Sequence, residues 1–137
     1  MGGAAVVTLL LDTHTWFWAA ARPEALSGAA AEAIADATND LALSPVTIWE
    51  LLVLARKGRL DLGADRHAWV RSQIVEGMPK TILPLTVAIA ERSERLVGYA
   101  NPDPADRFLA ATALEHDLIL VTMDRSLRDY GPLRTLW

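Results

Sequence analysis

Cysteine is absent from the 137 residues. That absence excludes disulfides, thiol nucleophiles and thiolate metal sites, so stability must come from packing. There is also no apolar run long enough to cross a bilayer: the stretch at 4–11 is too short and lacks both a basic flank and a small-residue cleavage site. The chain is therefore expected to be soluble, unexported and cytoplasmic, with no membrane partner. Cations are not in excess, since 13 bases face 17 acids for a net charge of −4. This excludes a protein that holds nucleic acid by overall charge alone. Fixed-period repeats and low-complexity tracts are missing too, although 29–37 is rich in alanine.

What is present is a globular composition, 52% hydrophobic and 22% charged, in a length that suits one domain spanning 1–137. Short apolar runs at 6–11, 40–43, 81–85, 118–122 and 133–136 read as strands. They alternate with helical patterns at 15–21, 28–37, 45–57, 65–75, 87–97 and 105–116, and with a short helical turn after Asp124. That alternation predicts an α/β fold with a mainly parallel sheet. Helix starts are marked by Ser27, by Ser44-Pro45 and by Asp103-Pro104, each a capping residue, the last two with proline at the first helical position. Gly58 marks a stop.

Four acids occupy informative positions. Asp12 ends the first apolar run, Asp124 follows the fourth, Glu50 interrupts an apolar helix between Trp49 and Leu51, and Asp106 lies on the first turn of the helix that Asp103 caps. Each has a local explanation. Asp12 suits an Asx turn, Asp124 a cap, Glu50 a solvated face or an arginine pair, and Asp106 the positive end of a helix dipole. Together they make hard oxygen ligands of the kind Mg²⁺ or Mn²⁺ prefers. If the first and fourth strands are parallel neighbours, Asp12 and Asp124 share one crevice at the carboxyl edge of the sheet. Four carboxylates packed without a cation repel one another and raise one another's pKa values, so the cluster points to a metal seat. Neutralising those four charges would leave the rest of the chain balanced, which keeps an anionic substrate open.

The strings Leu11-Asp12-Thr13-His14, Ser44-Pro45-Val46-Thr47-Ile48-Trp49-Glu50-Leu51, Asp103-Pro104-Ala105-Asp106-Arg107 and Val121-Thr122-Met123-Asp124, in this order, resemble the PIN domain family, particularly the VapC-type toxins of toxin–antitoxin pairs. The resemblance implies a three-layer α/β/α sandwich with strand order 3-2-1-4-5. It also implies a metal-dependent endoribonuclease with Asp12, Glu50, Asp106 and Asp124 at the metal, an RNA substrate and a cognate antitoxin; a homodimer is expected with it. Thr13 and Thr122 match small hydroxyl positions that would orient the carboxylates, although a turn hydroxyl and a strand residue explain them equally.

Several other residues invite roles. Arg107 is expected either to hold an RNA phosphate or to pair with a core carboxylate. Arg56, Lys57 and Arg59 form the densest basic cluster, suited to phosphates, though cations also complement a helix C-terminus. His14 could meet a phosphate or metal, or simply begin a helix; His67 and His116 have no ligand spacing with it. Trp16, Trp18 and Trp49 could stack bases, but Trp16 and Trp18 cannot share a helix face. The apolar surface around Phe17 and 51–54 is either core or a groove for an antitoxin helix. Two functions compete with the leading one. An aspartate-nucleophile phosphatase would want an acid two positions after Asp12, where this chain has His14. A catalytically silent PIN-like module that binds RNA or protein would gain from losing the acidic set.

Overall fold

The computed structural model describes residues 7–77, 79 and 81–137. Five parallel strands form one sheet: β1 (Thr8–Leu11), β2 (Asp40–Leu43), β3 (Thr81–Ile82), β4 (Ile119–Val121) and β5 (Arg134–Leu136), in the order β3-β2-β1-β4-β5. Val6, expected in the first strand, lies outside the described residues. In the central strand Leu9 pairs with Leu41 on one side and Ile119 on the other. Order and direction match the α/β/α expectation, and the strand order reverses between β1 and β4.

Side chains alternate across this sheet with the period of two that a strand imposes. Leu9, Leu11, Leu43 and Val121 point into one core with Trp16, Phe17, Ile34 and Leu51. Leu10, Ala42 and Leu120 point into the other with Leu96, Leu109, Ala113 and Leu127. The first core is roofed by α1 (Thr13–Ala21), α2 (Gly28–Ala35) and α4 (Arg66–Glu76), the second by α6 (Pro104–His116) and α7 (Arg125–Arg128), with α5 (Val87–Glu94) packed on α6. Helix α3 (Pro45–Arg56) contributes Val46 to one core and Leu51 to the other. Its contacts with α1 and α6 carry it over the edge where the two layers meet. Among the described residues no helix is long and apolar enough to cross a membrane.

Several element boundaries differ from the sequence reading for identifiable reasons. Helix α1 begins at Thr13 rather than residue 15, because Asp12 itself is the N-cap and its side chain accepts from the Thr15 amide. A 3₁₀ turn, Pro23–Ala25, follows α1 where only a break was expected; proline at its start supplies the fixed φ. Strand β3 has two residues instead of five, since Pro84 has no N–H with which to extend the ladder. Helix α5 ends at Glu94, three residues early, and Gly98 beyond it takes φ +79° in the turn toward α6.

Candidate metal centre

Asp12 follows β1 directly and its two oxygens are held separately. Oδ1 accepts from the Thr15 amide at 2.9 Å, and Oδ2 accepts from Thr122 Oγ1, just past β4, at 2.5 Å. Thr122 Oγ1 in turn accepts from the Asp124 amide at 3.0 Å. One hydroxyl thus ties the ends of the two central strands together. The surrounding protein strips water from Asp12 and raises its pKa, against the lowering effect of the Thr122 and Thr15 hydrogen bonds.

Glu50 reaches the same place from α3. Its Oε1 accepts from Thr13 Oγ1, so the acid that interrupts an apolar helix is satisfied by a hydroxyl from α1. Partial burial raises its pKa, and the Thr13 bond opposes that. Asp106 comes from the first turn of α6, behind its cap Asp103, whose Oδ1 accepts from the Ala105 amide at 2.9 Å and the Asp106 amide at 3.3 Å. Burial, then the charges of Asp103, Asp124, Glu50 and Asp12, push Asp106 up to about 7. Asp124 caps α7: its Oδ1 accepts from the Ser126 amide at 2.8 Å and Ser126 Oγ at 2.7 Å. All four acids, with Asp103, line one cleft of about 430 Å³ at the carboxyl edge of the sheet.

Three polar side chains that the sequence does not single out, Tyr99 and Asn101 ahead of α6 and Ser126 on α7, join the acids. Asn101 Nδ2 donates to Asp106 Oδ2 at 3.1 Å and to Ser126 Oγ at 3.1 Å. Tyr99 Oη lies 3.2 Å from Ser126 Oγ. Because Ser126 also holds Asp124, the chain Asp106–Asn101–Ser126–Asp124 orients two acids through one bridge. No local pattern announces it, since Asn101, just ahead of α6, and Ser126, on α7, are brought together only by tertiary packing.

The donor set fits a divalent cation in its chemistry. Every candidate ligand is a carboxylate oxygen, and each carboxylate is held by a neutral donor rather than by a cation that would neutralise it. Among the described residues no three acidic or histidine side chains converge closely enough to ligate one ion together. A divalent cation seated here would therefore take at most two of these side chains directly and meet the rest through its waters.

The other expected contacts divide. Arg107 neither pairs with a core carboxylate nor faces the cleft. Its Nε donates to Ser93 O at 2.9 Å, Nη1 to Tyr99 O at 3.0 Å and Asn101 O at 3.2 Å, and Nη2 to Glu94 O at 3.2 Å, with the guanidinium 5.7 Å from the Tyr99 ring centre. The phosphate-binding expectation is corrected on this ground: its donors are spent on backbone carbonyls. Arg56, the last residue of α3, and Lys57 and Arg59 just beyond it are exposed, and none lines the cleft. Trp16 is core, packed on Trp69 at 5.7 Å between ring centres. Trp49 is exposed away from the cleft, whereas Trp18 and His14 line it. Phe17 and Leu51 are buried core, which removes them from any partner groove.

Comparison with known proteins bears on the family and the fold. The family model described as the PIN domain matches residues 9–132. The chain is 37% identical over 134 residues to a protein named Ribonuclease VapC22, from Mycobacterium tuberculosis, covering 96% of this chain and 100% of that one. Among solved structures, FitAcB from Neisseria gonorrhoeae superposes with a TM-score of 0.66 at 23% identity, covering 94% of this chain and 96% of that one. VapBC2 from Rickettsia felis, bound to a DNA fragment from its promoter, gives 0.69 at 15% identity, covering 96% and 99%. These structures share the fold.

Proposed function

The chain belongs to the PIN domain family, and from that premise we propose that it is a divalent-metal-dependent endoribonuclease, the toxin of a toxin–antitoxin pair, acting on RNA in the cytoplasm. The observation that carries the reading is the delivery of four carboxylates from four separate segments into one cleft, each fixed by its own donor. A relative named as a ribonuclease over nearly the whole chain supports the substrate class. Neighbours solved as toxin–antitoxin complexes support an antitoxin partner.

Asp12, Glu50, Asp106 and Asp124 would hold Mg²⁺ or Mn²⁺. Such an ion polarises a phosphoryl oxygen and makes water a competent nucleophile for in-line attack. The chain's own contribution is to pre-orient the acids. Thr13 aims Glu50, Thr122 aims Asp12, and the Asn101–Ser126 bridge fixes Asp106 relative to Asp124. These bonds are made before substrate arrives, so they need no rearrangement during reaction. The nucleophilic-aspartate alternative lacks the second acid it would want two positions after Asp12, where the chain has His14.

Mapping cut sites on total RNA with Mg²⁺, beside an EDTA control, tests the assignment. Cleavage is expected with the metal and not with the chelator, and metal-independent cutting would overturn it. The pH profile has a definite sign. Asp106 titrates near 7 in the metal-free protein, so it is protonated, and a poor ligand, below that pH. Activity at limiting Mg²⁺ should rise as pH increases through about 7, and saturating metal should shift the rise to lower pH.

Asn101→Ala removes the donor to Asp106 while leaving all four acids in place. Loss of a hydrogen bond to the charged form favours the proton. The limb of the pH profile should therefore move upward, and cleavage at neutral pH should fall roughly 10-fold, the scale of one outer-contact loss at a metal site. An unshifted profile would show that Asn101 only fills space.

A further inference from the structure

The cleft is not lined by acids alone: His14, Trp18, Leu54 and Met123 line it with them. His14 and Trp18 are four residues apart on α1 and so share a face, with ring centres 5.5 Å apart and a 52° tilt. Trp18 is braced from behind by Trp137, 5.8 Å away, at the end of the chain beyond β5. Met123, 51% exposed, sits on the lip between Thr122 and Asp124. Trp16 and Phe17 on the same helix are wholly core, whereas Trp18 is only partly buried against that core and also lines the cleft of carboxylates, with His14 and Met123.

The charges of that cleft sharpen the point. Its acids repel an RNA backbone, Arg107 is committed to carbonyls, and the cluster of Arg56, Lys57 and Arg59 does not line it. A metal held by the acids would attract the phosphate, but among the described residues no cationic side chain lines the cleft besides His14 to hold the rest of the nucleotide, which leaves that part to uncharged contacts. An aromatic face supplies one, because every base has a π-face that stacks.

We infer that the His14–Trp18 wall is a nucleobase subsite: the unpaired base of a nucleotide flanking the scissile phosphate stacks on Trp18, with His14 and Met123 bounding it. The subsite rests on the ribonuclease reading of the same cleft. Trp18 lies six residues beyond Asp12, roughly 9 Å along the helix at 1.5 Å per residue, within the reach of one nucleotide from base to neighbouring phosphate. Stacking tolerates any base, so this wall selects for a single strand rather than for a sequence. A base-paired nucleotide cannot present its face there.

The test uses a short fluorescein-labelled single-stranded oligoribonucleotide and a series in which one abasic residue is walked through it. Binding is read by anisotropy in EDTA for the full-length wild type, Trp18→Phe, Trp18→Ala and His14→Ala. Trp18→Ala should weaken binding about 10-fold and Trp18→Phe should restore most of it, in keeping with stacking of one base. At one position the abasic residue should cost the wild type a similar factor and cost Trp18→Ala nothing further. Equal abasic penalties in both proteins at every position, or unchanged binding by Trp18→Ala, would overturn the subsite. Should Trp18→Ala fail to fold, His14→Ala, altered at an exposed position, carries the same comparison. A wild type that cuts no RNA with Mg²⁺ would defeat the ribonuclease reading, while the anisotropy series still decides the subsite.

Discussion

Asp12→Asn is expected to reduce Mg²⁺-dependent RNA cleavage on the order of 10³-fold, as removal of one charge-stabilising group from a pre-organised site does, while the protein stays folded. The geometry explains why the two effects separate. An asparagine Oδ1 still accepts from the Thr15 amide and keeps the cap of α1, and its Nδ2 can donate to the Thr122 hydroxyl, which can turn to accept. What disappears is a negative charge that burial already disfavours. In EDTA the variant should melt no lower than the wild type, because it no longer carries a desolvated carboxylate among four other acids. With Mg²⁺ the order should reverse, since only the wild type gains from binding. Single-turnover rates and melting curves with and without metal check both halves. Preserved cleavage would remove Asp12 from the centre, and a collapsed melting temperature would make it a structural cap.

That dual character of Asp12 shows how far local chemistry can be read in advance. The devices Ser44-Pro45 and Asp103-Pro104 act within one helical turn, and both start helices where expected. The crevice shared by Asp12 and Asp124 was legible because a strand end fixes where a side chain emerges. Glu50 was visible as an anomaly in an apolar helix, but only the crossing of α3 over α1 supplies its partner Thr13, 37 residues away. The Asn101–Ser126 bridge spans 25 residues and depends on how α6 and α7 pack, for which the sequence has no periodic signature. Strand β3 was over-extended because apolar composition does not reveal which amides find a ladder partner.

The helix N-termini also serve two purposes at once. Asp12, Asp103 and Asp124 are caps of α1, α6 and α7, and all three line the cleft. Three helices thereby aim their positive dipole ends at one acidic site, which partly offsets the repulsion among its carboxylates. Each cap spends one oxygen on its own helix. A residue that caps a helix can thus also face a shared acidic cleft, and a local explanation for an acid does not exclude a joint one.

Arg107→Ala is expected to lower stability by about 3 kcal/mol, since hydrogen bonds from a charged donor contribute about 1.5–3 kcal/mol each and do not add in full. For a chain of this size that is roughly a 10 °C fall in melting temperature. Four carbonyls lose their donor together: Ser93 and Glu94 at the end of α5, and Tyr99 and Asn101 on the approach to α6. Arg107→Lys should recover little, because one ammonium cannot span groups that the planar fork reaches from three nitrogens. A phosphate-binding arginine would behave differently, leaving the melting temperature alone and lowering the salt dependence of RNA binding by about one counterion. The consequence also reaches the site. Arg107 holds the backbone of Asn101, whose side chain holds Asp106, so the truncation should reproduce the upward pH shift of Asn101→Ala in addition to destabilising the fold. A stable Arg107→Ala protein with an unshifted profile would break that chain of support at its first link.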